Sequence, residues 1–450
     1  MLTRFLTWWH TIRASLWAMP VAAVLGGIAL AIGAAQIKIV SDADHPAWYL
    51  FSGDAGDVSA FLANLTSAVI TLAALVVSIT MVVLTLAAQQ LGPRLIASFM
   101  SDRKTQAVLA LFVGTAAYLL IVLRITSGSA EGVPNLALTL GSILVGLSVI
   151  TLPLFVHHLA RSIVADNVIM RVGADLDAAI SELLPADGDD AADPALDAIR
   201  DSDMPVRLSQ GGYIQAVDID RLVAVAKEND ALIVLKHRPG QHVLPGGVGA
   251  WVRAVKRVSE ECQAAIAASV LLGKERTPVQ DIEFWLRQLV EVGVRALSPG
   301  QNDPYTVIAA IDRIALSLKR MMDRAPARTT WRDDNGTARL RLPVSTFEGV
   351  LDAAFDQIRQ YGAGHPAVVI RLAEKLAQLW PSASEAQKPA IEKHLVLVLE
   401  AGRRNFEAES DRADLERHLA AALDERAMAA ADAPEPKPPS LLAQRLAIGR

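Results

Sequence analysis

Apolar residues are concentrated in the first 160 positions of the chain, where they form four long runs separated by short polar connections. Each run holds the roughly 20 mostly apolar residues that a helix needs to cross about 30 Å of hydrocarbon. The pattern therefore predicts an α-helical membrane domain over residues 1–164. Its four transmembrane helices are expected at about 16–37, 58–88, 105–123 and 136–156.

The second run carries a stripe of polar residues and has no charged residue between Asp57 and Arg94. At about 100° per residue, the stripe falls within an arc of about 60° on one helix face. Its members are Asn64, Ser67, Thr71, Ser78, Thr85 and Gln89. Because lipid cannot satisfy hydrogen-bonding groups, this polar stripe must face protein or water. It is therefore expected either to pack helices together or to line a water-filled pore.

Basic residues are distributed unevenly between the two sides of the predicted membrane domain. One side carries Arg4, Arg13, Arg94, Arg103, Lys104, Arg161 and Arg171. The loops on the other side carry only Lys38 and Arg124. Because cytoplasmic segments are enriched in lysine and arginine, both termini are expected in the cytoplasm.

The connection between the second and third helices is short and amphipathic. Leu95, Ile96 and Phe99 are expected to lie on lipid while the basic residues meet anionic head groups. We therefore predict that this connection couples the membrane domain to the cytoplasmic part. The predicted coupling residues are Arg94, Asp102 and Arg103.

The remainder of the chain has the charge content of an ordinary globular protein. It is predicted to be a mostly α-helical cytoplasmic α+β domain with a small β-rich module. A helix and an acidic linker are expected over 165–205, the β-rich module over 206–252, a helical domain over 253–432 and a disordered tail over 433–450. Asn335-Gly336 is a type I′ turn signal and predicts a hairpin at about 329–341.

Composition and charge exclude several classes of function. The 450 residues carry a net charge of −5, which gives no electrostatic footprint for nucleic acid. The single cysteine, Cys262, excludes an intrachain disulfide and a cysteine-based zinc cluster. No nucleophile, base or metal-ligand set converges in the sequence, so no enzymatic activity, cofactor or metal is expected.

One segment of the helical domain is rich in paired charges. Arg287 and Glu291, and Glu291 and Arg295, are spaced four residues apart on one helix face. The predicted charged network comprises Asp281, Arg287, Glu291, Arg295, Asn302 and Asp303. Such a network is expected either to form salt bridges at a surface or interface or to bind a phosphate or metal ion.

Two runs resemble a known family. The first is QLGPRLIASFMSD at residues 90–102, and the second is QDIEFWLRQLV at 280–290, which leads into RALSPGQNDP at 295–304. Together they resemble the bacterial predicted membrane proteins of domain-of-unknown-function family 2254, over most of the chain to about residue 380. The sequence departs from the family pattern at Trp285, Glu291 and Gly293. The resemblance implies four membrane helices and a cytoplasmic domain, and it supplies no activity or catalytic residues.

We therefore expect a multi-pass protein of the bacterial inner membrane. The polar stripe favours a homo-oligomer that forms a channel or pore, with the cytoplasmic part as a regulatory vestibule. The alternative is a membrane-anchored scaffold or signalling protein without a conducting path. The expected partners are the lipid bilayer and further copies of the chain, and not nucleic acid.

Overall fold

A computed structural model describes residues 16–37, 55–100, 102–128, 135–187, 199–254, 258–431 and 445. The chain divides into two compact units, an N-terminal unit that ends at Asn167 and a C-terminal unit that begins at Val168. The predicted disordered tail at 433–450 lies outside the described residues apart from Arg445, and residues 188–198 of the predicted linker also lie outside them.

Four helices of the N-terminal unit are long and apolar enough to cross a membrane, which confirms the prediction. They are α1 (Ala18–Gln36), α2 (Ala55–Gln90), α4 (Arg103–Gly128) and α5 (Asn135–Ser162). A 3-10 turn (Pro93–Leu95) and the short helix α3 (Ile96–Met100) connect α2 to α4. With 36 residues at about 1.5 Å each, α2 is about 54 Å long and must tilt in, or project from, a bilayer.

Small residues allow α1 and α4 to approach closely. A Cβ atom added to Gly27 would lie 2.5 Å from the carbonyl oxygen of Gly114, and one added to Gly114 would lie 3.0 Å from the carbonyl oxygen of Ala23. Ala23 and Gly27 are one turn apart and form the small-residue pattern that favours close helix packing in membranes.

Replacing Gly27 with leucine is expected to destabilise the N-terminal unit by about 1–3 kcal/mol, because the new side chain has no space against α4. Gly26 is the matched control, since a Cβ atom there meets nothing within 4 Å. Thermal unfolding of the full-length protein in detergent should show a lower Tm for Gly27→Leu than for Gly26→Leu. Equal Tm values for the two variants would contradict the close crossing.

Helices α4 and α5 are joined by a buried hydrogen bond. The Tyr118 hydroxyl donates to the Ala137 carbonyl oxygen at 2.7 Å, and Tyr118 is fully buried. Gly141 makes room for Tyr118 and Leu119. Gly146 lies on the same helix as Gly141, but a Cβ atom added to it would meet nothing within 4 Å. In the described unit, Gly141 is therefore the one of these two glycines that allows close packing.

The C-terminal unit contains helices and two β-sheets, one mixed and one antiparallel. Its strands are β1 (Met204–Arg207), β2 (Gly212–Val217), β3 (Ala231–Leu235), β4 (His242–Val243), β5 (Val248–Ala254), β6 (Val270–Gly273), β7 (Thr330–Arg332) and β8 (Ala338–Arg341). Its helices are α6 (Ala165–Leu183, which begins in the N-terminal unit), α7 (Ile219–Glu228), α8 (Glu260–Ala268), α9 (Ile282–Ala296), α10 (Pro304–Met322), α11 (Phe347–Gly362), α12 (Pro366–Leu379), α13 (Lys388–Asn405) and α14 (Glu409–Ala431).

Five strands form one sheet in the order β1-β5-β3-β8-β7, and three form another in the order β4-β2-β6. The hairpin β7–β8 forms as predicted, but its turn is not of type I′: Gly336 has a φ of +77°, Asn335 does not have the positive φ that this turn requires, and the Gly336 N–H donates to the Asp333 carbonyl oxygen at 2.9 Å. Strand β8 pairs in parallel with β3, with Ile233 opposite Leu340. The hairpin therefore completes the sheet of the β-rich module, although the sequence groups it with the helical domain.

The described structure differs from the sequence prediction at one further strand. Residues of β6 lie in the segment predicted to be helical, but they pair antiparallel with β2, so that Val270 lies opposite Val217. Helix α8 packs beside these strands, and its Cys262 is buried in the same core as Leu222 and Ile233. A four-residue apolar run is too short for its periodicity to distinguish a strand from a helix.

Candidate functional site

The polar stripe lies on the outside of the N-terminal unit. All six of its side chains, from Asn64 to Gln89, are exposed. The buried residues of α2 are Val58, Leu62, Thr66, Val69, Val76, Thr80 and Ala87. At about 100° per residue, the centre of this buried face is about 180° from the centre of the stripe. The stripe therefore does not pack the four-helix bundle of a single chain.

The hydroxyl groups along α2 fall into two classes. Thr71 and Thr85 donate to the carbonyl oxygens of Ser67 and Met81, at 2.8 and 2.9 Å, so their hydroxyls are satisfied by their own helix. In the part of the chain that the structure describes, the side chains of Asn64, Ser67 and Ser78 have no hydrogen-bond partner. These three side chains are free to bond to water or to another protein.

The stripe is as long as a membrane is thick. Asn64 and Gln89 are 25 residues apart, which corresponds to about 38 Å along a helix. The hydrocarbon region is about 30 Å thick. A polar row of this length is therefore long enough to connect the two membrane surfaces.

The connection between α2 and α4 is fixed by Asp102. Its carboxylate accepts hydrogen bonds from the hydroxyl of Thr105 at 2.8 Å and the backbone N–H of Thr105 at 3.2 Å. It also lies 2.8 Å from Nε2 of His158, near the end of α5. Burial raises the pKa of Asp102, but the hydrogen bonds from His158 and Thr105 outweigh burial and leave that pKa below its ordinary value. Asp102 thus ties the start of α4 to α5.

The other residues of the connection differ in exposure. Arg94 and Arg103 are exposed. Their predicted role in coupling the membrane domain to the cytoplasmic part stays a prediction. Leu95 and Phe99 are 1% and 7% exposed, so the prediction that they lie on lipid was wrong. Their helical spacing marks an apolar face, but it does not distinguish a face that meets lipid from one that meets protein.

The predicted charged network divides into separate groups. Asp281 and Glu283 form what we call the arginine–carboxylate cluster with Arg238, Arg276 and Arg287. Elsewhere, Glu291 pairs with Arg295 at 3.4 Å. Asp303 caps α10 through the backbone N–H groups of Tyr305 and Thr306, and Asn302 precedes it in a left-handed conformation with a φ of +46°.

The carboxylates of the arginine–carboxylate cluster are buried. The side chains of Asp281 and Glu283 are 0% and 2% exposed. Asp281 accepts from Nε of Arg276 at 2.9 Å, and Glu283 accepts from Arg238, from Nη2 of Arg287 at 2.9 Å and from Ser345 at 3.2 Å. Burial raises the pKa of Asp281, and the charges of Arg276 and Arg238 oppose that rise.

Sequence reasoning found Asp281 and Arg287 but missed Glu283, Arg238 and Arg276. Glu283 stands inside the run QDIEFWLRQLV, so its position in a family motif was a usable signal. Arg238 lies 45 residues away in the β-rich module, and no local spacing connects it to α9. In the described ranges, no group of three or more His, Cys, Asp or Glu side chains is arranged to hold a metal ion.

A second buried charge group joins α6 to α10. Asp177 accepts from Nη2 of Arg313 at 2.5 Å, from the Ser317 hydroxyl at 2.7 Å and from Nη1 of Arg320 at 2.5 Å. Gly173 is in contact with the Arg313 side chain, which occupies the space that a Cβ atom would take. This group anchors the first helix after α5 to the C-terminal unit.

The comparison with known proteins identifies the family. The family model described as Predicted membrane protein (DUF2254) matches residues 13–378. The uncharacterized proteins Mb1321c of Mycobacterium bovis and Rv1290c of Mycobacterium tuberculosis are each 29% identical over 418 residues, which cover 89% of this chain and 79% of each relative. No solved structure matches the chain. The chain therefore belongs to the DUF2254 family of predicted membrane proteins.

Proposed function

We propose that the protein is a homo-oligomer of the bacterial inner membrane in which the polar stripes of several copies surround a water-filled passage. The observation that carries this proposal is the exposure of all six stripe side chains on the face of α2 opposite its buried face. Polar groups left in hydrocarbon without partners are costly, so this face requires protein or water beside it. When the stripes of several copies face a common axis, neighbouring copies lie beside each stripe and water fills the space between them.

The length and charge of the stripe support a weakly selective passage. The row extends for about 38 Å, whereas a local patch would be enough to hold two helices together. The stripe contains no charged residue, so it offers neither a strong ion filter nor a proton relay. The C-terminal unit is proposed to lie in the cytoplasm, on the basis of the seven basic residues, and to regulate the passage without catalysing a reaction.

The proposal is tested with a double variant, Ser67→Leu with Ser78→Leu, which removes two stripe hydroxyls that have no partner in the described structure. The matched control is Ala63→Leu with Ala68→Leu, because both alanines are exposed on α2 at the edges of the stripe. The wild-type protein and the control are expected to be oligomeric in nanodiscs, by native mass spectrometry, and to pass small solutes across liposome membranes. The stripe variant is expected to lose the solute flux.

A wild-type protein that is monomeric in lipid would contradict the proposal, and so would an equal loss of flux in the stripe and control variants. An oligomer that passes no solute above the level of empty liposomes would overturn the passage. That result would favour the alternative, a membrane-anchored scaffold in which the stripes hold copies together.

A further inference from the structure

The C-terminal unit contains a pocket that borders the arginine–carboxylate cluster and shares Arg238 with it. Its volume is about 240 Å³. Its walls come from the end of α6, the start of α7, the loop after β3, the start of α9, and the segments on both sides of the hairpin β7–β8. Because these segments are distant in the sequence and converge on it, the pocket is part of the fold of this unit.

Most of the pocket wall is apolar. Ile219, Ile282 and Leu342 line it together with Trp331, whose indole ring is half-buried. An apolar cavity of about 150 Å³ holds benzene, so a volume of 240 Å³ fits a body of about ten non-hydrogen atoms. A half-buried tryptophan favours a planar body, because aromatic rings gain from stacked or edge-to-face contacts.

Among the described residues that line the pocket, the charged side chains are Arg238, Arg328 and Glu182, two cationic and one anionic. Arg238 also belongs to the arginine–carboxylate cluster, in which three guanidinium groups face two carboxylates and leave one net positive charge. The Arg238 side chain is 18% exposed and is held in position by Glu283. A fixed, partly desolvated guanidinium is the arrangement that recognises an anionic oxygen group.

We propose that this pocket binds a small amphiphilic anion, with a planar or short apolar body against Trp331 and a carboxylate or similar oxyanion on Arg238 and Arg328. An apolar pocket with a few convergent polar groups is the usual form of a small-molecule site. The pocket also includes Glu182 and Leu183, at the end of the helix that follows α5 in the chain. A ligand there contacts the helix nearest in sequence to the membrane spans, and this binding does not depend on the proposed passage.

The test uses two probes of nearly the same size and shape, the anion indole-3-acetate and the neutral indole-3-acetamide. Calorimetric titration into the full-length protein in nanodiscs is expected to give saturable binding of the acetate with a Kd of about 1 mM or below. The amide is expected to bind about tenfold more weakly, because it cannot form charge-assisted hydrogen bonds with the arginines. Equal affinity for the two probes, or no saturable binding of the acetate, would overturn the proposal.

Two variants locate the binding. Ala327→Phe fills the pocket without removing a charged group, and it is expected to abolish acetate binding while the Tm is retained. Arg328→Gln is expected to weaken acetate binding and leave amide binding unchanged. Arg332→Gln is the matched control, because Arg332 lies four residues after Arg328 and donates to the Gly336 carbonyl oxygen at 3.0 Å. Undiminished binding by folded Ala327→Phe would show that the probe binds elsewhere and would overturn the assignment.

Discussion

Replacing Asp177 with alanine is expected to lower the free energy of unfolding of the C-terminal unit by about 3–5 kcal/mol, the usual cost of leaving a buried charge without its partner. The Arg313 side chain is only 6% exposed, so water cannot replace the lost carboxylate. Nε of Arg313 already has no partner among the described residues, so this guanidinium depends strongly on Asp177. Native-state hydrogen exchange of α6 and α10 amides in the full-length protein measures the effect.

The chain offers two matched controls for this substitution. Asp175→Ala removes a half-buried carboxylate from the same helix. Burial raises the pKa of Asp175, and the charge of Arg171 opposes that rise. This substitution is expected to have little effect on hydrogen exchange. Arg320→Met removes a partner of Asp177 that is 56% exposed and is expected to cost less than about 1 kcal/mol. Equal exchange rates in the Asp177→Ala and Asp175→Ala proteins would contradict the role of the buried pair.

A double variant separates the charge from the packing. Asp177→Leu with Arg313→Met replaces both partners by apolar side chains, which is often nearly neutral for buried ion pairs. This protein is expected to be more stable than Asp177→Ala. If it is equally unstable, the loss comes from the shape of the contact between Gly173 and Arg313 and not from the unpaired charge.

The sequence predicted the membrane spans because their signal is local. A run of about 20 apolar residues is complete in itself and needs no information about distant parts of the chain. The sequence did not predict which face of each span packs inside the bundle. Leu75 and Met81 of α2 are 46% and 59% exposed, whereas Leu62 and Val69 are fully buried, yet all four are apolar. Because lipid is as apolar as a protein interior, hydropathy could not show which face of α2 packs against its own bundle.

The polar stripe was predictable as a pattern, but its position was not. The periodicity of Asn64, Ser67 and Ser78 places them on one helix face, and either side of a bundle would satisfy that pattern. Only the packed structure shows that this face lies opposite the buried residues. This finding makes packing within one chain insufficient to explain the stripe, and it is the physical basis of the proposed assembly.

The charged sites were harder to predict, because their partners come from distant positions. Spacing of four residues correctly paired Glu291 with Arg295, but Arg287 pairs with Glu283 and not with Glu291. The same rule could not pair Glu283 with Arg238, which is 45 residues away, or Asp177 with Arg313, which is 136 residues away. Both buried groups depend on tertiary packing, which also determines that strand β8 pairs with β3.

Replacing Glu283 with glutamine is expected to lower the stability of the C-terminal unit by about 2–3 kcal/mol, the usual worth of hydrogen bonds to a charged group. The substitution keeps the shape of the side chain but leaves three guanidinium groups against one carboxylate, Asp281. The effect is expected to be smaller than that of Asp177→Ala, because Arg238 and Arg287 are 18% and 42% exposed and can gain water.

Glu291→Gln is the matched control, because Glu291 lies on the same helix and its pair with Arg295 is more exposed. That substitution is expected to cost less than about 1 kcal/mol. Thermal unfolding of both full-length variants, with hydrogen exchange at the start of α9, measures the difference. If the two variants are equally stable, the buried cluster is not what holds the start of α9 in place.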